Sequence, residues 1–244
     1  MLKIDDGEGR DAILGKTKKQ MIIPSALEMM AINSPIFKSA KDILDIGDQG
    51  LFDKAHGEKL LGIPLSGSKY DQVTQVYDHF QCSRKVAELK PGFIRVNLNK
   101  SISGAVELHS IADIVTNHGT SEHIFNQVAL FEAIHLMTRP GGYMFHSLNC
   151  QGWADGNGLG HGFYLYQPKF IELLASANNY EIVDMKYNPS SPSPMLVNFE
   201  REKYPQMVLP NNWNWPNDRV LHFSSLLVVL RKTTETAFEI PNEY

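Results

Sequence analysis

The clearest alternation of apolar and polar positions runs over residues 111–149, IADIVTNHGTSEHIFNQVALFEAIHLMTRPGGYMFHSLN. An apolar run over 111–115 ends in a polar turn, NHGTSEH. Ile124, Val128, Leu130, Phe131, Ile134 and Leu136 then recur at helical spacing, which predicts one apolar helix face. RPGG breaks that helix, and 143–148 reads as a second strand. In such a strand–loop–helix–turn–strand unit, a ligand loop sits at the carboxyl end of the first strand.

The same periodicities organise the rest of the chain. Residues 1–24 are mostly polar and predict an arm or lid ahead of one domain over 25–244. Ser25 and Glu28 have capping-box spacing, so a helix is expected to start there and run to about residue 40, with Ser34-Pro35 a point of interruption. Residues 43–46 form a short buried strand bounded by Gly47. Residues 71–89 fit one amphipathic helix, and 93–98 a strand. A glycine-rich loop, NCQGWADGNGLGHG, is followed by a helix over 167–178 and a strand over 181–187. An irregular excursion over about 188–220, opening on PSSPSP, leads to a strongly β-prone strand over 223–231. Strands alternating with helices predict an α/β fold with a mainly parallel sheet covered on both faces. The irregular link before the last strand is compatible with that strand being antiparallel.

Composition narrows the function. The 244 residues are 43% hydrophobic and 20% charged, as a packed globular domain requires. The net charge is -4 with no long basic block, which gives no electrostatic reason to expect nucleic acid or an acidic membrane. Only two cysteines, Cys82 and Cys150, are present, which suits reduced thiols and the cytoplasm. There is no apolar leader, and no apolar stretch approaches the ~20 residues that span a bilayer. Gly9 and Gly15-Lys16-Thr17 miss the phosphate-loop spacing by one residue, and no strand precedes them. Tyr166 stands where a calcium loop starting at Asp155 would need Glu. With no H-E-x-x-H and no C-x-x-C, no metal ion is expected, and with no G-x-S-x-G, no hydrolase elbow.

Two stretches resemble class I S-adenosylmethionine (SAM) dependent methyltransferases. In KDILDIGDQG, residues 41–50, Asp45 and Gly47 match the family's acidic-x-Gly-x-Gly-x-Gly loop, while Gln49 and Leu51 replace its second and third glycines and Gly50 is out of step. In the second stretch, Asp113 opens the fourth strand, the Glu122-His123 pair follows it, and RPGG precedes the fifth. The resemblance implies a Rossmann-like fold with an antiparallel last strand and SAM as cofactor. It places Asp45, Gly47, Asp48, Gln49 and Gly50 at the cofactor, with Asn97 and Asn99 near adenine and Asn117, His118 and Gly119 near the sulfonium. Asn97 and Asn99 can equally be turn formers. His123 is the first candidate for a general base, followed by His118 and Glu122. His123 can also be read as a packing or capping residue. The family's acidic residue at the end of strand two has no clear counterpart over 52–90, where Glu58, Asp71 and Glu88 are candidates. The reaction implied is methyl transfer to an O or N nucleophile of a small molecule. The alternative is a methyltransferase-like fold kept for binding or scaffolding. Oligomeric state is open. The aromatic group Trp153, His161, Phe163, Tyr164 and Tyr166 suits a substrate wall or a cover for the sheet edge.

Overall fold

The computed structural model describes residues 21–150, 162–189, 197–198 and 223–242. The chain enters through β1 (Met21–Ile22) and two short helices, α1 (Pro24–Ile32) and α2 (Ser34–Ser39). Next come β2 (Asp42–Ile46), β3 (Gly50–Leu51), α3 (Lys54–Leu61), α4 (Lys69–His79), β4 (Ser83–Glu88) and β5 (Ile94–Arg95). The second half contains β6 (Ala112–His118), α5 (Gln127–Met137), β7 (Thr138–Asn149), α6 (Pro168–Ala177), β8 (Tyr180–Pro189), β9 (Val197–Asn198) and β10 (Phe223–Lys232).

Among the described residues, eight strands form one sheet in the order β5-β4-β2-β6-β7-β10-β8-β9. The pairs from β5 to β7 are parallel, and β10 is antiparallel to both β7 and β8. This is a Rossmann-like sheet with a reversed last strand. Each face carries its own apolar layer. On one, Leu130, Phe131 and Ile134 of α5 and Ile171 and Leu174 of α6 pack on Leu44, Val115, Met144 and Val228. On the other, Leu27 of α1, Phe37 of α2 and Val76 of α4 pack on Ile43, Ile114, Phe145 and Leu227. Residues 226–230 (LLVVL) of β10 are buried on both faces, which explains their unbroken apolar run.

Several sequence expectations need correction. The helix expected over 71–89 is two elements. α4 starts earlier, at a capping box formed by Ser68 and Asp71, and ends at His79. A turn with Gln81 at φ 64 then leads into β4. Arg84 and Lys85 look like a helix surface, but they are strand residues paired with Asp45 and Asp42. The helix expected to cap on Ser25 starts at Pro24 with no side-chain cap, and it breaks at Asn33 because Ser34-Pro35 opens α2. The strand expected over 93–98 shrinks to β5. α5 starts only at Gln127, capped by Asn126, while Ser121–His123 forms a 3-10 turn. Met21 and Ile22 of β1 pair in parallel with Gly50 and Leu51 of β3. The arm over 1–20, Trp153, His161 and most of the excursion lie outside the described residues.

Candidate functional site at the carboxyl edge of the sheet

From β2 the strand order runs one way through β4 to β5 and the other way through β6 to β7. Such a switch point opens a crevice at the carboxyl ends of the two central strands. Gly47 follows β2 at φ 81 and donates its N–H to Ala87 O at 2.9 Å. Only glycine turns there without a steric penalty. Gly119 follows β6 at φ 69 and donates to Ser147 O of β7 at 3.1 Å. The Thr120 hydroxyl donates to Ile46 O at 2.6 Å, so the two loops are tied to each other. Glu88 ends β4 one residue beyond Ala87, the partner of Ile46. The crevice therefore gathers Gly47, Asp48, Gln49, Glu88 and residues 118–122.

The residues after Gly47 depart from a glycine loop for packing reasons. Leu51 is buried beside Leu27 and Leu65. A Cβ on Gly50 would lie 3.1 Å from Lys69 Cβ, so Gly50 serves close packing. Asp45 does not face the crevice with a vacant carboxylate. It is fully buried and accepts from Tyr77 Oη at 2.8 Å, Arg84 Nε at 2.8 Å and the Thr116 hydroxyl. Burial pushes its carboxyl up, against the pull of Arg84 and the two hydroxyls. Burial also opposes the Arg84 charge, but Asp45 and Asp48 hold that group above its ordinary value. These three partners tie the end of β2 to α4, β4 and β6 through Asp45.

Asn97 and Asn99 lie at the turn after β5, where Lys100 N donates to Asn97 O at 2.9 Å. Asn97 Oδ1 accepts from Asn99 N at 3.0 Å, and Asn99 Oδ1 accepts from Asn126 N at 3.0 Å. Asn117 is also engaged. Its Oδ1 accepts from Ser121 N at 3.2 Å, which orients the amide so that Nδ2 donates to His146 Nδ1 at 3.2 Å. That bond fixes His146 as the tautomer protonated on Nε2. His146 was missed in the sequence, since a histidine inside an apolar strand reads as core.

His118 ends β6 at 2% exposure, and neither ring nitrogen has a hydrogen-bond partner among the described residues. Burial pulls its pKa down to about 4. For His146, burial, helped by His118, brings the pKa to about 3. Glu122 is likewise 2% exposed. A Cβ on Gly119 would lie 3.7 Å from its Oε1, and a Cβ on Gly162 only 2.6 Å from its Cγ. Two glycines thus leave room for this side chain, Gly119 beside an oxygen of its carboxyl group and Gly162 beside its stem. Burial raises its pKa to about 7, opposed by its own backbone N–H. His123 is half-buried in the same 3-10 turn, and its N–H donates to Thr120 O. Tyr166 donates to Gln127 Oε1 at 2.6 Å beside this turn, and Tyr164 to Phe125 O at 2.7 Å. No group of three metal-ligating side chains occurs among the described residues, and no helix there is long and apolar enough to cross a membrane.

No protein-family model matches the chain, and no curated protein matches it in sequence. Several solved structures are similar to it. One is the Burkholderia thailandensis 1,6-didemethyltoxoflavin-N1-methyltransferase with 1,6-didemethyltoxoflavin and S-adenosylhomocysteine (TM-score 0.46, 14% identity, 93% of this chain and 83% of that one). A second is a SAM dependent methyltransferase from Archaeoglobus fulgidus (0.49, 10%, 84% and 92%). A third is the N-methyltransferase NodS from Bradyrhizobium japonicum (0.43, 12%, 86% and 97%). At TM-scores below 0.5 the superpositions are loose, and the fold rests on the order and direction of the strands.

Proposed function

We propose that the chain is a SAM-dependent methyltransferase acting on an oxygen or nitrogen nucleophile of a small molecule. The observation that carries this reading is Glu88. It supplies an acidic side chain at the carboxyl end of the strand next to β2, beside the Gly47 turn. The resemblance implies a carboxylate there, to accept from the two ribose hydroxyls of SAM. Glu88 is half-buried, and its Oε1 also accepts from Leu89 N at 2.9 Å. Leu89 itself is 53% exposed, an apolar surface beside that carboxylate. The buried Gln49 Oε1 has no partner among the described residues. A carboxylate acceptor beside a glycine turn, with the exposed Leu89 side chain next to it, supports this reading for the ribose end of the cofactor.

Bound there, SAM would supply an electrophilic methyl group on a cationic sulfur. The chain's own part is to align the nucleophile and take one proton. Glu122 suits the second task better than His123, because an enclosed carboxyl with a pKa of about 7 is matched to proton transfer at neutral pH. His118, at about 4, is too weak a base and lines the crevice without charge. The binding or scaffolding alternative draws on the occupied Asp45 carboxylate and the missing glycines.

Calorimetric titration with SAM and S-adenosylhomocysteine separates the two. Micromolar binding is expected, about -8 kcal/mol. Glu88→Gln should cost about 1–3 kcal/mol of that affinity while leaving the fold intact. A folded wild-type protein that gives neither heat nor a thermal shift would leave only the binding or scaffolding reading.

A further inference from the structure

Arg84 donates all five of its guanidinium N–H bonds, and they reach three separate parts of the fold. Nε binds Asp45 Oδ2 at 2.8 Å, at the end of β2. One terminal nitrogen binds Tyr70 O and Thr74 Oγ1, both at 3.3 Å, on α4. The other binds Gln49 O at 3.0 Å and Asp48 Oδ1 at 3.4 Å, in the loop after Gly47. Its side chain is 9% exposed. The loop is also held from within, by Gln49 Nε2 donating to Ile46 O at 3.2 Å. A glycine loop takes its shape from backbone freedom. This loop lacks two of those glycines and is gripped by a side chain instead.

We propose that Arg84 is the positioning residue that shapes residues 48–50 for the ligand, replacing backbone freedom with a planar fork of hydrogen bonds. This rests on the reading of that loop as part of the cofactor site. The fork matters more than the charge, because lysine offers three donors from a single nitrogen and cannot span strand, helix and loop together.

The test compares the wild type with Arg84→Lys and Thr74→Val. The probe is S-adenosylhomocysteine in calorimetry, together with amide hydrogen exchange in the ligand-free protein. Arg84→Lys keeps a cation beside Asp45, and is expected to bind about tenfold more weakly. Amides of Asp48, Gln49 and Gly50 should exchange about tenfold faster while those of β10 stay protected. Thr74→Val removes one acceptor on the helix side and should weaken binding about threefold; it carries the test if Arg84→Lys does not fold. Binding within twofold of wild type in the folded variants would overturn the proposal. Exchange that speeds up equally in the loop and in β10 would do the same, because it marks a merely structural residue. A wild type that binds no S-adenosylhomocysteine would instead refute the cofactor reading, and the exchange comparison would then decide the role of Arg84 alone.

Discussion

A carboxyl group at 2% exposure, on a side chain packed against two glycines, does not titrate as it would in water, and Glu122 shows the consequence. Its folded pKa of about 7 lies above the ordinary 4.5, so the folded state prefers the proton. The stability it lends is full below pH 4.5 and is lost as the pH rises through 7. Its reactivity runs the other way, since only the ionised form accepts a proton. The methyl-transfer rate of the wild type should therefore climb as the pH rises through about 7. Glu122→Gln should lower kcat by about 10²–10⁴ while keeping S-adenosylhomocysteine affinity within a few-fold. A pH–rate profile of both proteins checks this, and an unchanged rate would return attention to His123. The sequence shows the polar pair Glu122-His123, but which member is buried depends on Gly162, distant in the chain.

The RPGG segment, which the fold places inside the start of β7 and not in a turn before it, shows the same dependence on neighbours at the level of an element. Arg139 reaches back to Asp113 at 2.6 Å and Asp42 at 3.0 Å, and Asp113 accepts from Lys41 N and Asp42 N. The acidic residue that opens β6 and the Arg of RPGG thus act together at the amino end of the sheet, away from the crevice. Gly141 has φ 78 and open space around it, whereas a Cβ on Gly142 would lie 2.7 Å from Asp113 O. Gly141→Ala should cost about 1–2 kcal/mol from backbone strain alone. Gly142→Ala should cost more, about 2–4 kcal/mol, because a backbone oxygen cannot step aside. Urea denaturation of the two variants measures the order, and equal losses would contradict it. Elements with an unbroken apolar pattern, such as β6, α6 and β10, were legible in sequence to within a few residues. β4 was not. Its charges pair with Asp42 and Asp45 on the neighbouring strand, and no local pattern announces a partner in space. Glu88 stayed obscure for the same reason.

Across the whole molecule, two histidines are buried uncharged at one end of the sheet. His146 shares a face with its partner Asn117, and His118 with Ser147 on the other. Their folded pKa values of about 4 and 3 lie below the ordinary 6.5. Below pH 6.5 the unfolded chain takes up protons that the folded one refuses, so stability falls with pH down to about 4 and 3. His118 alone accounts for a loss on the order of 3 kcal/mol. Glu122 opposes part of this fall between pH 4.5 and about 7. Urea midpoints at about pH 7 and about pH 5 should therefore drop less in His118→Phe than in the wild type; an equal drop would show that His118 is not a source of the acid sensitivity. A different consequence follows from the place of β10 between β7 and β8. On the ribosome, the strands from β2 to β7 emerge and can pair in turn, but β7 waits with a bare flank until residues 223–232 are made. β8 emerges before β10 and until then has only the two-residue β9 to pair with, on its other edge. Synthesis that stalls near residue 220 would leave two sticky edges exposed to other nascent chains.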